Sequence, residues 1–131
     1  MQIRVYYEDT DCGGIVYHSN YLKYCERARS EAFFKQGIAP LQDGIGFVVK
    51  DMQIGFHYPA KLGDLLEVKT QILEQKSASL TLLQNIYLTN PTTPKKIFSA
   101  TITLVCMDSK TQKISKIPQW AQEIFNTLKE K

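Results

Sequence analysis

The chain has 131 residues, of which 44% are hydrophobic and 22% are charged, and its formal net charge is +3. This composition is typical of a soluble globular protein, and the length predicts a single domain over residues 1–131. The charge surplus is too small to indicate a nucleic-acid partner. No run of about 18 apolar residues occurs, so the sequence predicts no membrane span.

Three cysteines, Cys12, Cys25 and Cys106, lie far apart in the sequence. Their spacing fits neither a zinc site nor a disulfide framework, so reduced thiols are expected. Cys25 and Cys106 fall on the apolar faces of predicted elements, where a thiol packs like a small hydrophobic group. Residues 1–4 lack the apolar run of a signal peptide, and we therefore predict a cytoplasmic protein.

The first part of the chain predicts a strand, a loop and one long helix. Residues 3–8 are β-branched and aromatic and predict the strand. The helix is predicted over residues 19–36, with Ser19 or Asn20 as its N-cap and Gly37 at its end. One apolar stripe follows steps of four, three and four along it, through Tyr21, Cys25, Ala28 and Ala32. A helix with such a stripe is expected to lie on another element.

Four later segments alternate apolar and polar residues, as strands with one buried face do. They cover residues 48–58, 66–72, 80–88 and 98–106. Lys50 interrupts the first alternation, and Pro59 ends that strand. A short amphipathic helix is predicted from Pro118, with apolar residues at steps of four. These are Trp120, Ile124 and Leu128. The pattern predicts an α+β fold, an antiparallel sheet with one long helix across a face.

Residues 7–21 hold the densest group of reactive side chains, with three carboxylates, a histidine and three tyrosines around two glycines. Glycines allow close approach to the backbone, and a helix start offers free N–H donors that stabilise developing negative charge. A carboxylate near such a start can attack a carbonyl or activate a water. Two other interpretations fit. One is a solvated acidic turn whose Asp side chains cap backbone N–H groups, with Asp9 in a structural role. The other is metal ligation by Asp9, Asp11 and His18.

Four segments resemble the YbgC-type acyl-CoA thioesterases, in the 4-hydroxybenzoyl-CoA thioesterase branch of the hotdog superfamily. They are VYYEDTD (residues 5–11), GIVYHSNY (14–21), ERAR (26–29) and PAKLGD (59–64). The resemblance covers the first half of the chain, and the later elements fit the same layout. It implies the hotdog fold, an antiparallel five-stranded sheet wrapped around one long central helix, with a short C-terminal helix.

The same resemblance implies roles for single residues. Asp11 matches the catalytic carboxylate, acting as nucleophile or as general base on water. His18 matches a histidine that orients or polarises the thioester, or that assists the leaving thiolate. Gly46 falls near the position whose backbone N–H polarises the thioester carbonyl. The substrate-binding set that the resemblance implies is Tyr7, Val16, Tyr17 and Gly46, without a metal.

The activity that the resemblance implies is hydrolysis of acyl-CoA, and short-chain acyl groups are the expected substrates. Coenzyme A is part of the substrate, and no other cofactor is implied. It also implies a homodimer or homotetramer in which sheets join edge to edge. Three alternatives stay open. In the first, the protein is a thioesterase whose acyl donor is an acyl carrier protein. In the second, it is a hydratase or dehydratase. In the third, it is a non-catalytic module that binds acyl-CoA or a partner linked to the Tol-Pal system. The second is disfavoured, because those enzymes place Asp and His five positions apart whereas Asp11 and His18 are seven apart.

Overall fold

One antiparallel sheet and two α-helices form the chain in the computed structural model, which describes residues 1–90 and 92–129. The strands are β1 (Gln2–Arg4), β2 (Ile45–Phe56), β3 (Leu65–Gln75), β4 (Ser79–Leu88), β5 (Lys95–Asp108) and β6 (Lys113–Ile114). The helices are α1 (Asn20–Phe34) and α2 (Gln119–Thr127), and a 3-10 turn covers Tyr7–Asp9. Neither α-helix of this described part is long and apolar enough to cross a bilayer.

The sheet has the strand order β1-β3-β4-β5-β2, and the two-residue β6 pairs with the end of β5. Alternate residues of β3, β4 and β5 are buried, so one face of the sheet carries the core. Leu82 pairs with Ile102, and Ile86 pairs with Phe98, in the middle of that face. The predicted hotdog layout of five main strands with one long helix is confirmed, with β6 as an addition.

Helix α1 buries the predicted stripe against this face of the sheet. Its buried residues are Tyr21, Tyr24, Cys25, Ala28 and Phe33. Helix α1 ends at Phe34, two residues before the predicted end at residue 36, and Gly37 closes the turn after it as predicted, with a left-handed φ of 77°. The N–H of Gly37 donates to the Phe34 carbonyl, and that of Ile38 donates to the Phe33 carbonyl, which forms a Schellman cap. Burial raises the pKa of the Cys25 thiol to about 12, so this cysteine is an inert core residue as predicted.

The prediction that a Ser19 or Asn20 side chain caps the N-terminus of α1 is wrong. The Ser19 side chain makes no cap hydrogen bond. Asn20 does not accept from the first turn; its Nδ2 donates to the Asp9 carbonyl at 2.9 Å. The amide therefore fastens the preceding loop to the start of the helix.

The predicted strand over residues 3–8 is wrong beyond Arg4, where β1 ends. The Asp9 Oδ2 accepts the Tyr6 N–H at 2.9 Å, and the Asp9 N–H donates to the Tyr6 carbonyl at 3.0 Å. This reciprocal pair closes a 3-10 turn that a strand ladder cannot contain. Short polar side chains compete with strand pairing in this way.

Strand β2 lies at one edge of the sheet. It begins at Ile45, three residues before the predicted start, and ends at Phe56, two residues before the end predicted from Pro59. Its register against β5 shifts between Val49 and Asp51, so Lys50 is the extra residue of a β-bulge. The interrupted alternation at Lys50 was thus a correct signal. At the C-terminus, α2 packs its Phe125 against Phe33 and Phe47, with ring centroids 5.6 and 5.3 Å apart.

Candidate active site

The reactive cluster forms a tight loop that precedes α1. Thr10 and Val16 face each other as a β-bridge, and the Asp11 N–H donates to the Ile15 carbonyl at 2.9 Å. The turn closes where the Gly14 N–H donates to the Asp11 carbonyl at 3.0 Å. Gly14 has a φ of 82°, which a side chain would oppose. The loop therefore presents Asp11 at its tip.

The Asp11 side chain is exposed, and one of its two carboxylate oxygens is hydrogen-bonded. Its Oδ1 accepts the Gly13 N–H at 2.8 Å, the bond of an Asx turn. Its Oδ2 has no hydrogen bond within residues 1–90 and 92–129. A Cβ on Gly13 would stand 3.1 Å from Oδ1, so the glycine lets the carboxylate rest on the backbone. The capping interpretation is thus correct for one oxygen, while the other is available for chemistry.

The segment of residues 59–64 supports this loop from below. The Val16 N–H donates to the Ala60 carbonyl at 2.9 Å, and Ile15 bridges to Lys61. The Ala60 N–H donates in turn to the Tyr21 hydroxyl of α1 at 3.1 Å. Burial raises the pKa of Tyr21, which keeps this hydroxyl neutral. Two of the segments that carried the family resemblance are therefore in direct contact.

Asp9 holds the base of the loop through its backbone as well as its side chain. Its carbonyl accepts both the Tyr17 N–H and the Asn20 Nδ2, each at 2.9 Å. The Tyr24 hydroxyl lies buried near it without a hydrogen bond that meets normal geometry. Burial raises the pKa of Tyr24, and the negative charge of Asp9 raises it further. The structural role predicted for Asp9 is confirmed.

His18 lies exposed immediately before α1, with its ring 4.4 Å from that of Tyr17. The backbone amides of His18 and Ser19 donate to no group within the described part of the chain. Such amides at a helix start are free to hold an anion. No hydrogen bond joins His18 to Asp11. His18 follows the Thr10–Val16 bridge on the chain, so it belongs to the same loop region as Asp11.

The other predicted substrate-binding residues of this loop differ in accessibility. Tyr7 is 82% exposed on the 3-10 turn, and Tyr17 is 47% exposed. Val16 is buried, so its side chain is part of the core, and its N–H is already bonded to the Ala60 carbonyl. Asp9, Asp11 and His18 form no metal cluster; across the described ranges no three His, Cys, Asp or Glu side chains share a possible ion site.

Gly46 does not lie with Asp11 and His18 in a single chain. It lies near the start of β2, where its neighbour Phe47 contacts Phe33 in the last turn of α1. The opposite end of β2 reaches the helix start, since Phe56 contacts Tyr21. These two helix positions are twelve residues, or about 18 Å, apart. A common site for Gly46 and Asp11 therefore requires a second chain.

A second feature, which the sequence patterns did not indicate, is a cavity of about 230 Å³ between α1, β2 and α2. Phe33, Phe47 and Phe125 line it together with Leu82, Leu104 and the half-buried Arg29. Burial lowers the pKa of Arg29, whose Nη1 donates to Gln84 Oε1 at 3.0 Å. Gln84 is fully buried, at a position where strand alternation calls for an apolar residue.

Comparison with known proteins agrees with this architecture. Residues 5–125 match the model of the thioesterase-like superfamily, and the chain belongs to this family. It is 43% identical over 133 residues to the acyl-CoA thioesterase YbgC of Helicobacter pylori, covering 98% of this chain and all of that protein. It is 36% identical to the acyl-CoA thioester hydrolase YbgC of Escherichia coli, covering 89% and 87%. A crystal structure of a probable thioesterase from Bartonella henselae superposes with a TM-score of 0.81 at 32% identity, covering 90% and 97%.

Proposed function

We propose that the protein is an acyl-CoA thioesterase that hydrolyses short-chain acyl-CoA to the free acid and coenzyme A. The observation that carries this proposal is the free Oδ2 of Asp11 on a loop whose continuation, at His18 and Ser19, offers unbonded amides. Acyl transfer requires a nucleophile or base and donors for an oxyanion, and this loop carries both kinds of group. The names of the H. pylori and E. coli relatives support the same activity.

In the proposed reaction, Asp11 acts on the thioester carbonyl carbon, either directly or through a water that it deprotonates. The carbonyl oxygen becomes an oxyanion held by the amides at the start of α1. The carbon–sulfur bond then breaks, and the thiolate of coenzyme A leaves and takes a proton, with His18 assisting. On the direct route, water then hydrolyses the anhydride formed between Asp11 and the acyl group and regenerates the carboxylate. On either route water supplies the oxygen of the acid and the proton, so no oxidant or further cofactor is needed.

The proposed active unit is a homodimer joined along β2, with a homotetramer as its larger form. This strand is an edge, and several apolar side chains on it are exposed. They are Val48, Val49, Ile54 and Phe56. An open apolar edge is a place where another strand adds. Antiparallel pairing about a two-fold axis would bring the Gly46 end of one β2 beside the partner's helix start.

This arrangement also accounts for a short acyl group. The cavity of about 230 Å³ has Gly46 in its lining, and the proposed pairing would bring this part of it to the partner's Asp11 loop. It is smaller than the roughly 300–1,000 Å³ of usual small-ligand sites. The acyl group would enter this cavity, while the coenzyme A part stays outside.

Replacing Asp11 with Asn tests the proposal. We expect kcat for butyryl-CoA to fall by about 100-fold or more, because the amide can neither attack nor take a proton. Free thiol release is the measurement, and circular dichroism checks the fold. Asp43→Asn is the matched control, since Asp43 is an exposed turn residue with a φ of 51° that Asn tolerates.

Unchanged turnover in Asp11→Asn would refute the role of Asp11. Wild-type protein that binds butyryl-CoA without releasing thiol would favour the non-catalytic module. Hydrolysis of butyryl–acyl carrier protein at a much higher kcat/KM than butyryl-CoA would favour the carrier-protein donor.

A further inference from the structure

The wall of the cavity formed by α1 carries a cation in a mostly apolar lining. Among the described residues that line it, Arg29 is the only Lys or Arg, and most of the others are aromatic or aliphatic. A guanidinium has five N–H donors. Within the described chain that of Arg29 makes one hydrogen bond, to Gln84, and no ion pair. A half-buried cation with unused donors favours an anionic acceptor in its neighbourhood.

Gln84 holds the Arg29 side chain in place. Its Nε2 donates to the Cys25 carbonyl at 2.9 Å and to Thr70 Oγ1 at 3.0 Å, both on elements that enclose the core. These two bonds fix the amide so that Oε1 faces Arg29. The guanidinium is therefore preorganised, which lowers the entropy lost when a ligand binds.

The other ionisable group of the lining is Glu26, one helical turn from Arg29. Glu26 is exposed, and its Oε1 accepts the Ser30 hydroxyl at 3.1 Å. Water screens an exposed carboxylate more than it screens a buried guanidinium. The less exposed of the two charges is thus the Arg29 cation, while the Glu26 carboxylate is the more solvated one.

We propose that Arg29 binds a carboxylate at the end of the acyl group remote from the thioester, which makes dicarboxylic acyl-CoA thioesters the preferred substrates. The inference rests on the proposed thioesterase activity and adds the substrate class to it. An apolar chain of a few methylenes fills the phenylalanine-lined space, and Arg29 receives the terminal carboxylate. Guanidinium and carboxylate form paired hydrogen bonds, which suits Arg better than Lys for this task.

The test compares adipyl-CoA with hexanoyl-CoA, which have the same number of main-chain carbons and differ in the terminal carboxylate. We expect the wild type to have a kcat/KM at least about tenfold higher for adipyl-CoA, the range expected for one charge-assisted hydrogen bond. Arg29→Gln is expected to abolish this ratio. Arg29→Lys keeps the charge and is expected to retain part of it.

Two neighbouring variants control for charge and for folding. Glu26→Gln removes the opposing charge and is expected to raise the adipyl-to-hexanoyl ratio. Lys35→Gln removes a cation from the other flank of α1, outside this cavity, and is expected to leave the ratio unchanged. A wild-type ratio near one, or an equal ratio in Arg29→Gln and the wild type, would overturn the proposal.

A binding measurement separates this inference from the proposed function. Adipate is expected to raise the melting temperature of the wild type more than hexanoate does, and Arg29→Gln is expected to lose that difference. If no acyl-CoA is hydrolysed, the thioesterase proposal fails, and the adipate shift still decides whether Arg29 binds carboxylates. If hydrolysis occurs without adipate selectivity in either measurement, only the role of Arg29 is wrong.

Discussion

At the scale of single residues, the two glycines of the Asp11 loop have different functions. Gly13 has an ordinary φ. A glycine is favoured there because it leaves room for the Asp11 carboxylate, since a Cβ would stand 3.1 Å from Asp11 Oδ1. Gly14 has a φ of 82° and open space around it, so a glycine is favoured there because its backbone adopts this left-handed conformation easily. One glycine therefore positions the carboxylate, and the other shapes the turn.

Alanine substitutions separate these two functions. Gly13→Ala is expected to push the Asp11 carboxylate off its N–H donor and to lower kcat about tenfold, while the melting temperature changes little. Gly14→Ala is expected to destabilise the fold by about 1 kcal/mol through its left-handed backbone, with the smaller effect on kcat. Steady-state kinetics and urea unfolding of both variants check this. A Gly13→Ala enzyme with full kcat would show that the Asx bond is unimportant for turnover.

At the scale of elements, periodic burial was readable from sequence because each element has one face on the core. The stripe through Tyr21, Cys25 and Ala28 predicted α1, and the alternation in residues 80–88 predicted β4. Periodicity does not report local side-chain bonds. The bond from the Tyr6 N–H to the Asp9 carboxylate turned a predicted strand into a 3-10 turn.

The part of the site that lies on one continuous segment could be predicted from the sequence, and the part that depends on distant segments could not. Asp11 and His18 belong to one loop, so the family motifs indicated both residues together. Gly46 is remote from them within the chain, and only the proposed dimer would bring those regions together. Gln84 did leave a signal in the sequence, a glutamine between Leu82 and Ile86 on a core face, and buried polar residues of this kind are bonded across elements.

Gln84 joins α1 to the sheet, and its removal has a predictable cost. Gln84→Leu leaves the Arg29 guanidinium and Thr70 hydroxyl without their partner in a low-dielectric region. We expect the free energy of unfolding to fall by about 2–3 kcal/mol. Asn85→Leu is the matched control on the same strand, because the Asn85 Oδ1 is buried without a hydrogen bond and its loss removes no partner. Urea unfolding measures both, and an equal effect of the two changes would contradict the role of Gln84.

At the scale of the whole molecule, the distance between Asp11 and the Gly46 end of the cavity makes assembly the central question. Within one chain these features lie at opposite ends of α1. An exposed carboxylate is also surrounded by water, which weakens every electrostatic effect on the thioester. A partner chain across β2 would both exclude water and bring the cavity to the loop.

Like charges placed on the β2 edge test this idea. In the double variant Val48→Lys and Ile54→Lys, two-fold pairing would bring lysines of both chains together, at positions now 46% and 37% exposed. Light scattering is expected to shift from at least twice the chain mass of 15.0 kDa to that of a monomer. We expect kcat/KM to fall by about 100-fold or more although each chain stays folded, because Asp11 and the cavity are no longer neighbours. Leu73→Lys with Ile114→Lys, two exposed apolar positions away from β2, is expected to change neither mass nor turnover. A monomeric β2 variant with full turnover would place the whole active site within one chain.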